Sequence, residues 1–336
     1  MNVFATATGT GSWPGLAARE AAEIVVGEVH RLPHLVELPA RGVGADMIGR
    51  AGALLVDIAL DTVPRGYRIA TGRRAATRRA VSLLDEDIDA LEEAWEKAGL
   101  RGSGRVVKVQ APGPVTLAAH VELPTGHRAI TDGGAVRDLT ASLAEGVAAH
   151  RAQVSRRLQT PVVVQFDEPS LPAALAGRLS GVTSLAPVHP VDEAVVGGLL
   201  DECVDVVGGD VALHSCAEGL PWPLLQRSTI DAVSVDMATL TAADLDGIGE
   251  FLESGRTVLL GAVPSIPPAS RPGPDQIAAA VAAVTDRLGF ARTVLRDRIG
   301  VTTACGLAAA TPTWARTATE LTQRVADNLA EDPDGV

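Results

Sequence analysis

The tripeptide His214-Ser215-Cys216 sets an imidazole and a thiol two residues apart, and Thr303-Ala304-Cys305 supplies a second thiol far along the chain. Each follows an apolar run that reads as a buried strand. Zinc favours soft thiolate and imidazole donors, and a site with three protein ligands keeps a coordination position for a substrate. A thiol entering such a site loses its proton near neutral pH and becomes a nucleophile. Taken alone, His214 and Cys216 also suit a buried polar residue and a small apolar one at a strand end. Cys305, in a matching strand-end position, turns the reading toward a metal. Cys203 lies among apolar neighbours in Leu199–Val207 and reads as core packing.

Other polar residues recur at the ends of apolar runs. Ser12 follows Ala5–Gly11, and Glu37 lies within Leu35–Leu38. Gln110 closes Val106–Gln110, just before Gly113-Pro114-Val115-Thr116. Asp167-Glu168-Pro169 follows Val162–Phe166, and Asp236 follows Ala232–Val235. Asp and Pro both favour turns, so any one of these has a plainer explanation. Repetition at successive strand ends is what suggests a common rim. His120 and His127, in the polar stretch Leu117–Ile130, are expected in solvent. Trp13 and Trp314 suit substrate-lining rings and ordinary packing equally.

These positions need a scaffold that gathers strand ends. With Val211–His214, Thr257–Leu260 and Ile299–Thr302, the apolar runs number eight. Most are continuously apolar, as expected of parallel strands covered on both faces. Amphipathic helical patterns alternate with them over Leu16–Val29, Asp46–Leu60, Asp85–Ala98, Ala135–Leu158, Asp192–Val207, Ala242–Leu252, Asp275–Leu288 and Thr313–Leu329. Asp85, Asp192 and Asp275 are expected as N-caps or first-turn acids. Eight such alternations predict an α/β fold, a TIM (β/α)8 barrel, with residues 1–336 as one domain. In that fold catalytic groups sit at the C-terminal ends of the strands.

Bulk properties narrow the class. The 336 residues are 46% hydrophobic and 21% charged, a globular composition. A net charge of −12 argues against a nucleic-acid partner. No apolar run reaches the ~18–20 residues that span a bilayer, so no membrane association is expected. The first residues lack the basic and apolar regions of a signal peptide. Three cysteines are a poor disulfide framework, and a cytoplasmic setting with reduced thiols is expected. No Gly-x-Ser-x-Gly element supports a serine nucleophile.

Together, Gly11-Ser12-Trp13-Pro14, Gly113-Pro114-Val115-Thr116, Asp167-Glu168-Pro169-Ser170, His214-x-Cys216 and Cys305-Gly306-Leu307 resemble, in content and order, the catalytic barrel of cobalamin-independent methionine synthases. The resemblance runs from residue 9 to about residue 316. It implies Zn2+ on His214, Cys216 and Cys305. The family's acidic ligand follows the next strand, where this chain has Asp236 in place of the usual Glu. Asp167 matches the acid that faces the substrate ammonium, and Ser12 matches a residue at its carboxylate end. The family's substrate-binding Glu has no clear counterpart in Arg41–Asp46, and Glu37 is the nearby substitute.

The resemblance implies a zinc-dependent methyltransferase that passes a methyl group to homocysteine, with Asp167, His214 and Cys216 central to catalysis. Full-length family members carry two barrels, and this chain has room for one. The donor is therefore open between a methylfolate and a methyl-corrinoid, with a separate donor protein as a further partner. Two alternatives are a related barrel acting on a different thiol, and a zinc- or thiol-binding barrel that turns nothing over. A zinc-free decarboxylase of the wider superfamily would not explain His214-x-Cys216 with Cys305.

Overall fold

Val162–Asp167 reads Val-Val-Val-Gln-Phe-Asp, and every residue in it is buried. β-branched residues suit the pleat, and burial on both faces suits a parallel strand. The computed structural model describes residues 2–72, 74–182 and 187–336. In it this strand belongs to a parallel sheet whose members are Val107–Pro112, Val162–Asp167, Val211–Ser215, Ala232–Asp236, Thr257–Val263 and Ile299–Thr303, neighbouring in that order.

Two further segments close the sheet on itself. Ala7 bridges Val301 in parallel, with Thr8 N–H donating to Val301 O at 3.1 Å and Val301 N–H donating to Thr6 O at 3.0 Å. Ser12 bridges Glu37, and His34 bridges Lys108. The result is the TIM barrel expected from the alternation. The first two expected strands, Ala5–Gly11 and Leu35–Leu38, enter it through isolated bridges rather than continuous ladders.

Helices cover the outside. Ala18–Glu28, Ala75–Lys97, Gly133–Leu158, Glu193–Val207, Ala242–Glu253, Pro274–Arg287 and Pro312–Glu331 are the longer ones. Asp192 caps its helix by accepting from Ala194 N–H and Val195 N–H, and Asp275 sits in a first turn behind Pro274. Two expectations are corrected. The expected helix Asp46–Leu60 stops at Leu54, and the chain then forms the antiparallel hairpin Ala59–Val63/Gly66–Ala70. The helix expected to start at Asp85 begins at Ala75, so Asp85 is mid-helix and caps nothing. Its buried stripe already runs through Ala76, Thr77, Ala80 and Leu84, in a stretch whose many arginines mask the period.

The lumen changes character along its length. Phe4, Leu32, Val163, Ala212, Ala232 and Leu259 form an apolar cluster separate from the layer between barrel and helices. A strand shows the same face every two residues. Two residues on from this plug come His34, Gln165, His214 and Ser234, all buried. Two residues further come Asp167, Cys216 and Asp236. The lumen is thus sealed by apolar side chains at the N-terminal ends of the strands and polar at the C-terminal ends.

Candidate metal and substrate site

His214 is carried near the C-terminal end of Val211–Ser215, and Cys216 follows that strand directly. Cys305 follows the end of Ile299–Thr303. Strand ends three places apart in the parallel sheet thus meet over the lumen. One ligand atom from each of His214, Cys216 and Cys305 lies within 4.8 Å of the others. The two sulfurs are 3.0 Å apart, well beyond a covalent S–S bond of about 2.05 Å. Ser265 Oγ fixes the Cys305 backbone by accepting from its N–H at 2.7 Å and donating to its carbonyl at 3.0 Å.

His214 Nδ1 lies 3.0 Å from Ser234 Oγ on the neighbouring strand. That bond occupies Nδ1 and turns Nε2 toward the sulfurs. The thiols do not titrate alike. The hydrogen bond with Cys216, aided by His214, draws the Cys305 thiol well below its usual range. The same bond to Cys305, then burial, pushes the Cys216 thiol up. Two adjacent sulfurs cannot both shed their protons without a positive charge between them. A dication supplies that charge, and this donor set is the kind zinc takes. The residues therefore fit the ion.

Asp236 ends the next strand but stands outside the three-residue cluster. Its Oδ1 accepts from Ala238 N–H at 2.9 Å. Burial raises its carboxyl, while the Ala238 N–H pulls it down.

Asp167 and Glu168 are adjacent in sequence but differ in surroundings. Glu168 Oε1 accepts from Val115 N–H at 2.8 Å, and Oε2 accepts from Thr116 N–H at 2.8 Å and Thr116 Oγ at 2.6 Å. Its carboxylate therefore caps the N-terminus of helix Pro114–His120. Gly113 is required there, because a Cβ would come within 2.2 Å of Glu168 Oε1. Asp167 Oδ1 accepts from Gln165 Nε2 at 2.7 Å. Burial raises its carboxyl to about 7, opposed by His214 and Lys108 and reinforced by Glu37.

Ser12 packs against Gly306, where an added Cβ would come within 2.0 Å of Ser12 Oγ. The Ser12 carbonyl accepts from Leu307 N–H at 2.9 Å, which ties the first loop to the one carrying Cys305. Glu37 is buried, with Oε1 3.6 Å from Arg50 Nε. Burial raises its carboxyl, and Arg50 and Gln110 lower it.

Trp13 and Trp314 are both buried in packing, with Trp314 Nε1 donating to Pro264 O at 3.0 Å. Cys203 is fully buried in its helix. His127 is exposed, and His120, also exposed, lies 3.0 Å from Ser170 Oγ. The sequence reading missed Lys108, Gln165 and Ser234. Their signal was a polar residue at every second place in an otherwise apolar strand.

Residues 4–328 match the family model described as the catalytic domain of cobalamin-independent synthase. The chain belongs to that family. Cobalamin-independent synthases are methyltransferases, and this barrel is one of their catalytic domains. Its fold is shared with a B12-independent methionine synthase from Shewanella sp. W3-18-1, solved in complex with selenomethionine. The TM-score is 0.62 and the identity 13%, with both chains covered in full. It is shared also with a putative vitamin-B12-independent methionine synthase from Listeria monocytogenes. There the TM-score is 0.58 and the identity 14%, over 94% of this chain and 85% of that one. At these identities the likeness is one of fold. No curated protein matches the chain. Among the described residues no helix is long and apolar enough to cross a membrane.

Proposed function

We infer that this synthase domain is a zinc-dependent thiol methyltransferase, with residues 1–336 acting as one catalytic barrel and homocysteine as acceptor. The observation that carries the reading is the meeting of His214, Cys216 and Cys305 within 4.8 Å, on the rim that also holds Asp167.

When bound by these three ligands, with Asp236 as the fourth donor or the one displaced, zinc would hold an incoming thiol in its deprotonated, nucleophilic form. The chain's own residues do the positioning. Ser234 fixes the imidazole of His214. Asp167 receives the substrate ammonium, a charge-assisted contact that sets orientation. Ser12 meets the carboxylate end, and Glu37, braced by Arg50, lies on the ammonium side. The apolar plug below keeps water from entering behind the substrate. The sulfur attacks the methyl carbon in line, the carbon–donor bond breaks, and the donor keeps the bonding electron pair. Alignment and a thiolate are sufficient, and no covalent enzyme intermediate is needed. The donor is a methylfolate or a methyl-corrinoid, brought by a separate protein or free.

Zinc per chain and methyl transfer to homocysteine from each donor class, measured together, test the reading. About one zinc per chain is expected. The Cys216→Ala/Cys305→Ala protein should lose both metal and transfer. Full transfer by a zinc-free protein would overturn the reading.

A further inference from the structure

Lys108 is one of the largest fully buried side chains among the described residues, at 1% exposure. A buried ammonium is expensive and normally sits against a carboxylate. Among the described residues no ion pair within 4.0 Å joins it to a carboxylate, and Asp167 and Glu37 act on it only through space. Its hydrogen-bond partner is the neutral amide of Gln165, through Oε1. Gln165 is itself 2% exposed, and its Nε2 donates to Thr10 O at 2.8 Å and to Asp167 Oδ1 at 2.7 Å.

The chemistry of the three groups makes this arrangement directional. A lysine ammonium has donors and no acceptor. Gln165 must therefore present its oxygen to Lys108, and its two N–H groups must point the other way. Those two donors meet two acceptors, the Thr10 carbonyl and Asp167 Oδ1. A flipped amide would put N–H against ammonium and oxygen against both the Thr10 carbonyl and the carboxylate, three repulsive contacts in place of three bonds.

We propose that Lys108 and Gln165 form a positioning pair that orients Asp167 toward the ammonium of an α-amino-acid thiol. Lys108 touches neither substrate nor metal. It locks Gln165, and Gln165 holds one oxygen of Asp167 from below, leaving the other to the mouth of the lumen. The pair thus makes the site selective for a thiol that carries a cationic amino group. This rests on the reading of Asp167 given above.

The test measures binding of two thiols to zinc-loaded protein by calorimetry. The probes are homocysteine and 4-sulfanylbutanoic acid, which is homocysteine without its amino group. Wild type is expected to prefer homocysteine. Lys108→Met and Gln165→Leu should each weaken homocysteine binding by about tenfold or more, the scale of one charged hydrogen bond. Binding of the amino-free thiol should move far less, and zinc content should not move. Combining the two substitutions should add little to either alone, because they break one linkage.

Equal weakening for both thiols, or no weakening for either, would overturn the pair's role and leave it a packing feature. If wild type fails to distinguish the two thiols, the fault lies earlier, in Asp167 as the ammonium acceptor, and the pair's role falls with it. Should either single variant not fold, the Lys108→Met/Gln165→Leu double variant decides alone, since it leaves no buried ammonium without a partner.

Discussion

Ser234 Oγ lies 3.0 Å from His214 Nδ1, and the two side chains face each other across neighbouring strands. A ring held at one nitrogen presents the other at a fixed angle, so Ser234 acts on any metal through the imidazole. Ser234→Ala should weaken zinc affinity by about ten- to a hundredfold, as loss of such partners does elsewhere. Competition with a chromophoric chelator measures it. Affinity unchanged from wild type would show that the hydroxyl does not orient the ring.

Asp236 presents a contrasting case. It lies outside the cluster of three, and one oxygen is occupied by Ala238 N–H. Asp236→Ala should cost less zinc affinity than Ser234→Ala in the same chelator titration. Asp236→Glu should tighten binding, because the extra methylene extends the carboxylate's reach. An alanine variant that retains no zinc would make Asp236 an obligate ligand.

Neighbouring Asp167 and Glu168 should separate cleanly under mutation. Glu168→Ala strands the N–H groups of Val115 and Thr116 in a buried place. We expect a loss of about 3 kcal/mol in urea unfolding, the scale of charged hydrogen bonds left unmade. Asp167→Asn should alter stability far less, yet raise KM for homocysteine by about tenfold or more. The reverse pattern would exchange the two roles.

Lys108 gives stability a pH dependence of known sign. Burial lowers its folded-state pKa to about 8 from 10.5, opposed by Asp167 and Glu37; His34 also faces it. Between about pH 8 and 10.5 the unfolded chain keeps a proton that the folded chain has released. Stability then rises with pH across that window. Below it, the full cost of the buried charge is present. Lys108→Met removes this contribution, so its stability relative to wild type should fall by up to about 3 kcal/mol from pH 8 to 10.5. Tyr67, raised to about 12 mainly by burial, acts in the opposite sense above pH 10. It is common to both proteins and cancels in the difference. A pH-independent difference would mean that Lys108 titrates normally.

All eight barrel segments were legible because burial on both faces leaves an apolar run that little else explains, as in Val162–Asp167, although Ala5–Gly11 and Leu35–Leu38 pair only through isolated bridges. The hairpin Ala59–Val63/Gly66–Ala70 was not legible. Its strands are only partly buried, with Leu60 and Tyr67 the one buried residue in each, so no continuous apolar run marks them. His214, Cys216 and Cys305 stood out because their side chains are rare and their chemistry narrow. Choosing Asp167 over Glu168 needed the family pattern. The physical reason, that Glu168 is committed to a helix N-terminus supplied by another part of the chain, exists only in three dimensions. Lys108 was hidden because a lysine inside a strand ordinarily means a solvent-facing position.

The barrel's closure has a mechanical consequence. Adjacent strands of the parallel sheet share four to six register pairs, whereas the segments bearing Ser12 and Glu37 are joined to their neighbours by single bridges. The cylinder therefore has a seam, and Ser12 lies on it. A ligand gripped at once by Ser12 and Asp167 would act as a staple across that seam. Filling the site and latching the wall would then be one event, and amide exchange around Thr6–Ser12 should slow when the ligand is in place.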